Sequence, residues 1–305
     1  MRMVKTESIC DLREGMAANH FVAIGVSQTC DVLALSADRP VNLPLPLTHS
    51  VEYQVHTFKS RVWRSSPRLT SKLSHRFVQP LPRDRWLLVQ SQRLEGENNA
   101  EVFSSDGALV HSFSAGDGIE DVQATEDGRI WISYFDEGVF GHTELGQAGL
   151  VCLDMQGKLV FNYDRDICPQ GPPSISDCYA LNVVSNQDVW LSYYSDFPLV
   201  HLQDGKLKRI FPAPQMPAPK SFAVLADRIL AVSAYGGAAA KIPVYLFEPE
   251  TNALEEVELE TPDGKELKPE HTVARGSRLC VLDGKQNEDE FAPSWVYAVD
   301  LLDLS

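Results

Sequence analysis

The chain has 305 residues, 44% hydrophobic and 23% charged, with 27 Lys and Arg against 42 Asp and Glu. That composition buries a core, which excludes a disordered or fibrous chain, and a formal net charge of −15 repels phosphate backbones, which excludes a general nucleic-acid partner. No apolar run reaches the roughly 18 residues of a membrane span, and the start MRMVKTESICDLREG lacks the apolar centre of an export signal, so no membrane partner is expected and the expected compartment is the cytoplasm.

In chain order, RMVKTESI over residues 2–9 has strand character but no adjacent partner. From Asn19, NHFVAIG reads as a strand, and DVLALSAD from Asp31 as its hairpin mate. The same pairing recurs as HRFVQPLP from His75 with RWLLVQSQ from Arg85, and as EDVQATED from Glu120 with RIWISYFD from Arg129. It recurs again as DCYALNVV from Asp177 with DVWLSYYS from Asp188, SFAVLAD from Ser221 with RILAVSAY from Arg228, and HTVARGS from His271 with RLCVLDGK from Arg278. The second members start 54, 44, 59, 40 and 50 residues apart, the period of a propeller blade with loop insertions.

A second hairpin follows the first in most copies: AEVFSSDGALVHSF from Ala100, LVCLDMQGKLVFNY from Leu150, LVHLQDGKLKRIF from Leu199 and VYLFEPETNALEEVEL from Val244. Its Asp-Gly, Gln-Gly or Thr-Asn corner between two alternating apolar runs is a strong hairpin signal, because such corners accept the positive φ of a tight turn. The first copy is the least regular, with YQVHTFKS and SRVWRSS as its outer strands after the Pro-rich connector PVNLPLPLTHS. PAPQMPAPK from Pro212 is too rich in proline for a helix or central strand and reads as a connector.

The fold class predicted is therefore all-β: a single-domain six-bladed β-propeller over residues 1–305, with four-stranded antiparallel blades. The blades span about 10–70, 73–115, 117–165, 175–212, 219–260 and 268–305. The last supplies three strands of its own, and residues 2–9 are expected to complete it, pairing the N-terminal strand with the C-terminal blade and closing the ring.

The repeated DGRIWIS element at Asp127 resembles the repeats of bacterial six-bladed propellers of the NHL, two-component-regulator and gluconolactonase-like kinds. YFDEGVFG and DCYALNV are similar to segments of uncharacterised bacterial propeller proteins. The resemblance implies the fold over nearly the whole chain, and no single activity, because such folds carry enzymes, scaffolds and sensors alike. Gluconolactonase-like enzymes would imply a calcium or zinc ion held by Glu, Asn and Asp; here the matching positions carry mostly His, and Asn182 alone lies near an inner strand. Propeller lyases of the streptogramin-inactivating type would imply a catalytic His with Mg²⁺, for which His75 and His271 are the candidates, without a flanking motif.

Aligning the inner strands places His20, His75, Asp121, Asp177, Ser221 and His271 at equivalent positions near a channel mouth, with Glu120 beside Asp121. Imidazole and carboxylate side chains bind divalent metals and serve as general bases, while a wet mouth also collects polar residues that bond only water and backbone. Loops after the second strands add Tyr134, Phe135, Asp136 and Glu137, then Tyr193, Tyr194, Asp196 and Phe197, then Tyr235 with Gly236 and Gly237, and Asn287 to Phe291. Aromatics mixed with carboxylates suit a cationic group or basic peptide. Trp131 and Trp190 occupy matching positions and are assigned to packing between sheets.

The six cysteines form no C-x-x-C pair, so no zinc ribbon or redox motif is present, and free thiols are expected. G-x-S-x-G, H-E-x-x-H, G-x-x-x-x-G-K and G-x-G-x-x-G are all absent. The expected function is non-catalytic binding of an unidentified protein or small-molecule ligand at the polar, aromatic mouth, with no catalytic residue and no metal ligand assigned. The alternative is a metal-dependent lyase or hydrolase built on the His and Asp ring, its divalent cofactor unsupported by a full motif.

Overall fold

The computed structural model describes residues 1–305 except 17–18, 42–48, 94–95, 213, 227, 237–240, 287–290 and 305. Most of the Pro-rich connector, Gly237 and the rim residues before Phe291 lie outside the described residues. The described chain forms two compact units, Arg13–Cys178 and Met1–Leu12 with Tyr179–Ser305.

The chain opens with β1 (Arg2–Lys5) and β2 (Glu7–Asp11), both in the second unit. In the first unit, blade one is β3 (His20–Val26), β4 (Val32–Ala37), β5 (Val51–Lys59) and β6 (Val62–Ser65), with β7 (Leu69–Ser71) pairing the early part of β5. Blade two is β8 (Phe77–Leu81), β9 (Arg85–Val89), β10 (Ala100–Phe103) and β11 (Leu109–Phe113). Blade three is β12 (Ile119–Ala124), β13 (Ile130–Tyr134), β14 (Leu150–Leu153) and β15 (Leu159–Asn162).

Blade four is β16 (Asp177–Ser185), β17 (Asp188–Tyr194), β18 (Leu199–Gln203) and β19 (Lys206–Phe211). Blade five is β20 (Pro219–Leu225), β21 (Arg228–Ser233), β22 (Val244–Glu248) and β23 (Ala253–Glu260). Blade six is β24 (His271–Arg275), β25 (Arg278–Gln286), β26 (Phe291–Asp300) and β2. Six sheets of this order, antiparallel but for one pairing, define a six-bladed β-propeller.

Local chemistry explains the strand pattern. The second strands are apolar along their whole length, as strands buried on both faces are; all six residues of β4 and all five of β13 are buried. At the β12–β13 corner Gly128 has φ +83°, and the Thr125 hydroxyl bonds Asp127 while the Thr125 carbonyl accepts from the Gly128 N–H at 2.9 Å. The cores lie between neighbouring sheets. In the first unit one joins Leu87, Val89 and Val102 to Val122, Ile130 and Ile132; in the second another joins Trp190 and Leu199 to Phe222 and Phe247. Each such fully buried side chain contributes about 1.5–3 kcal/mol.

The N-terminal segment pairs with the C-terminal blade as expected, but only through its second half. β2 runs antiparallel to β26 from Glu7↔Ala298 to Asp11↔Trp295, whereas β1 lies parallel to β23 from Arg2↔Val257 to Lys5↔Glu260, a fifth strand on blade five. Thr6 divides them, its N–H and hydroxyl both donating to the Glu260 carbonyl at 2.9 Å. Val4 enters the blade five core beside Val257 and Leu259, which gives β1 an apolar reason to stay there.

Trp131 and Trp190 are buried, against Phe161 and His201 of their own blades, and Trp190 also joins the core shared with Phe222 and Phe247 of blade five, the packing between sheets expected of it. All six cysteines are free. Among the described residues no helix is long and apolar enough to cross a membrane.

Candidate functional site

Within the second unit, four aromatic side chains gather where β16 begins and β17 and β21 end. Tyr179 lies on β16, Tyr194 closes β17, Phe197 follows it, and Tyr235 lies two residues past β21. Phe197 meets Tyr179 edge-on at 5.0 Å between ring centroids and Tyr194 at 5.8 Å. The Tyr179 and Tyr235 hydroxyls bond each other at 2.8 Å. Tyr194 is 51% exposed and Tyr235 56%, so two large rings of a packed cluster face solvent. Asp196, exposed and with φ +69°, turns the chain between Tyr194 and Phe197.

Lys220 belongs to the same end of blade five. The β20–β21 ladder has a bulge between Pro219 and Ser221, so Lys220 is the extra residue. The partly exposed Lys220 side chain donates from its ammonium to the Glu270 carbonyl at 2.7 Å, and the Glu270 charge acts on it as well. Burial lowers the Lys220 pKa, and burial followed by the Lys220 charge lowers that of His271, the first residue of β24. The inner-strand alignment pointed to Ser221, which is buried; the bulge accounts for the offset of one residue. The depressed basicity of Lys220 has no signature in the sequence PKSF.

The first unit carries a separate group of carboxylates. Glu120 and Asp121 lie on β12, Asp177 opens β16, and Asp136 and Glu137 belong to the short helix Asp136–Val139 after β13. Burial, then the charges of Asp121 and Asp177, push the Glu120 carboxyl up to about 7. Water reaches the Glu120 side chain, yet protein surrounds it on enough sides for burial to lead. Asp177 is raised by burial and then by Asp136. Asp121 is held by the Val122 N–H at 2.7 Å and the Gln123 amide at 2.8 Å, and Glu137 accepts from the Gln92 amide at 3.0 Å.

The sign of the pH effect follows. A carboxyl whose pKa rises on folding contributes its full stability below the unfolded value of 4.5 and loses it as pH rises towards about 7. Glu120→Gln is therefore expected to be more stable than the native chain at pH 8 by about 1 kcal/mol, after allowance for solvent screening. The two should coincide at pH 4.5 in parallel urea titrations.

Several predicted site residues lie in the interior instead. His75 precedes β8 rather than lining it. Its ring is fully buried, with Nε2 2.9 Å from the Glu101 carboxylate and 3.1 Å from the Ser71 hydroxyl, and it packs edge-on against Tyr53. A carboxylate and a hydroxyl inside the sheet hold the imidazole there. Tyr134 and Tyr193 are fully buried, and the Tyr134 hydroxyl donates to the Ala115 carbonyl at 2.7 Å, so neither presents a surface to a ligand.

Asn182 is committed to backbone as well. Its Nδ2 donates to the carbonyls of Phe222 and Gly276 at 2.8 and 2.9 Å, and its Oδ1 accepts from the Gly276 N–H at 2.8 Å. His20 opens β3 half-buried opposite Ala37, and His271 is exposed. Among the described residues no three His, Cys, Asp or Glu side chains stand close enough to share a metal ion.

With the fold and these groups in place, similarity to known proteins is narrow. A family model described as the YxzG family matches residues 150–286, less than half of the chain. Tyr179, Tyr194, Phe197, Lys220, Tyr235 and His271 all fall within that stretch, and Glu120, Asp121 and Asp136 fall outside it. No curated protein matches the chain.

Proposed function

We propose that the protein is a non-catalytic binding propeller whose recognition surface is the cluster of Tyr179, Tyr194, Phe197 and Tyr235. The exposure of Tyr194 and Tyr235 on a packed aromatic cluster carries this reading, since their rings offer rigid contact area at small entropic cost. Six free thiols support a reducing compartment such as the cytoplasm. Indole, benzoate and benzylamine, which share a ring and differ in charge, are suitable probes in saturation-transfer NMR. Binding of at least one is expected, and Tyr194→Ala with Tyr235→Ala should weaken it about tenfold. Unchanged binding in the double variant would count against the surface.

A second reading, an acid–base hydrolase or lyase, draws on one observation, the Glu120 carboxyl held up to about 7 beside Asp121 and Asp177. It differs from the metal-dependent site expected on the His and Asp ring, of which His75 is buried. Turnover of p-nitrophenyl esters or lactones that falls about a hundredfold or more in Glu120→Gln supports it; turnover that survives the substitution removes it.

A further inference from the structure

The outer side of β23 is a sheet edge, and the chain's own β1 occupies half of it. β23 runs from Ala253 to Glu260, while the parallel pairing covers Val257 to Glu260 alone. Among the described residues no strand pairs with the outer side of Ala253, Leu254, Glu255 and Glu256, so this half is an open template for another strand. A cavity of about 210 Å³ adjoins it, bordered by Arg2, Arg228, Leu246, Ala253, Leu254 and Glu255.

The resident strand shows what the edge accepts. β1 places Val4, 2% exposed, in the core with Val257, Leu259 and Leu267. Its cations Arg2 and Lys5 run along a strand that carries Glu255, Glu256 and Glu260, with Glu258 taken by Lys241. The attachment is slight. Arg2 and Glu255 pair at 3.6 Å with both side chains about half exposed, where an ion pair contributes little. Met3 is exposed, and a four-residue parallel ladder is the weaker kind. One buried side chain therefore anchors β1 against the entropy lost in ordering it.

We propose that the β23 edge is a docking site for an extended basic segment of a partner protein, which adds as a parallel strand along the whole of β23 and displaces β1 from its half. The segment carries a β-branched residue at the position of Val4 and cations to match the glutamates. It continues past the position of Arg2 to cover the open half beside the cavity. Backbone pairing supplies the affinity of such an added strand, and its alternate side chains supply the selectivity. The site shares no residue with the aromatic cluster and does not depend on it.

The test is fluorescence anisotropy of the full chain with the labelled peptide KVKMRMVKT, which is residues 1–6 preceded by Lys-Val-Lys. The six-residue MRMVKT and a scrambled nine-residue peptide of the same composition are its counterparts. The nine-residue peptide should bind more tightly than the six-residue one, because it also covers the open half, and the scrambled peptide should bind least. Val4→Asp loosens β1 and should raise the affinity for the nine-residue peptide about tenfold, since the edge is then vacant more of the time. Val4→Ala should fall between. Glu256→Lys should weaken binding about threefold, the scale of one exposed charge pair.

Circular dichroism of each variant reports folding. No anisotropy change with native chain or Val4→Asp up to about 1 mM would overturn the inference. Equal binding of the scrambled peptide would reduce it to unspecific charge attraction and overturn it too. An affinity that Val4→Asp and Val4→Ala leave unchanged would show that the peptide does not take the place of β1. Dimerisation of the native chain in sedimentation analysis, lost in Val4→Asp, would overturn the partner and assign the edge to exchange of β1 between two copies.

Discussion

Gly118→Ala is expected to destabilise the first unit by about 3 kcal/mol or more, because the new methyl meets backbone rather than a movable side chain. Gly118 has φ +64°, and a Cβ there would lie 2.2 Å from the Gly138 nitrogen and 2.5 Å from its Cα. Gly138 is equally confined, its own Cβ position lying 2.3 Å from the Asp117 carbonyl oxygen. Two glycines thus let the loop before β12 press on the helix Asp136–Val139, where the Phe135 N–H donates to the Gly118 carbonyl at 3.0 Å.

Gly264→Ala is the control. Gly264 has φ +82° with nothing within 4 Å, so only the left-handed conformation is penalised, by about 1–2 kcal/mol. Urea titrations should place the Gly118→Ala midpoint well below that of Gly264→Ala. Equal midpoints would show that backbone contact at Gly118 is not limiting.

Asn182→Ala is expected to cost about 3 kcal/mol, roughly 1 kcal/mol for each of three hydrogen bonds. The side chain is fully buried and ties β16 to the Phe222 carbonyl and to both backbone groups of Gly276, joining blades four, five and six within one unit. Asn182→Asp separates shape from bonding. It keeps the acceptor for the Gly276 N–H but sets a carboxylate oxygen against two carbonyls, so it should fold no better than the alanine variant in the same titration. Native-like stability in Asn182→Asp would contradict the assignment of Nδ2 as the shared donor.

The repeat was legible because hairpin corners and alternating apolar runs are local. All six second strands, from DVLALSAD to RLCVLDGK, form where the sequence places them, and even the irregular first copy yields β5 and β6 from YQVHTFKS and SRVWRSS. What failed depended on tertiary partners. Nothing in RMVKTESI marks Thr6 as the point where one strand becomes two, since the break is set by the Glu260 carbonyl and by the core that receives Val4. The short helices Asp136–Val139 and Glu144–Gln147 have four residues each, too short for a periodic signal.

The candidate site was legible in kind more than in detail. Aromatics after the second strands were expected, and Tyr194 with Tyr235 are exposed there, but Tyr134 and Tyr193 turn inwards because one step along a strand exchanges faces. His75 was misplaced because Glu101, 26 residues away, draws its ring inside. Lys220 was overlooked because a bulge made it the extra residue of its ladder.

Fluorine NMR of the chain labelled with 3-fluorotyrosine bears most directly on the recognition surface, because of the nine tyrosines Tyr194 and Tyr235 are exposed, four are buried and Tyr179, Tyr245 and Tyr297 are half-buried. On addition of indole, benzoate or benzylamine, the Tyr194 and Tyr235 resonances, assigned by single Tyr→Phe variants, should shift saturably with at least one probe. Those of the buried Tyr53, Tyr134, Tyr163 and Tyr193 should stay in place. Shifts confined to Tyr245 and Tyr297, or none for any probe up to about 10 mM, would contradict the account.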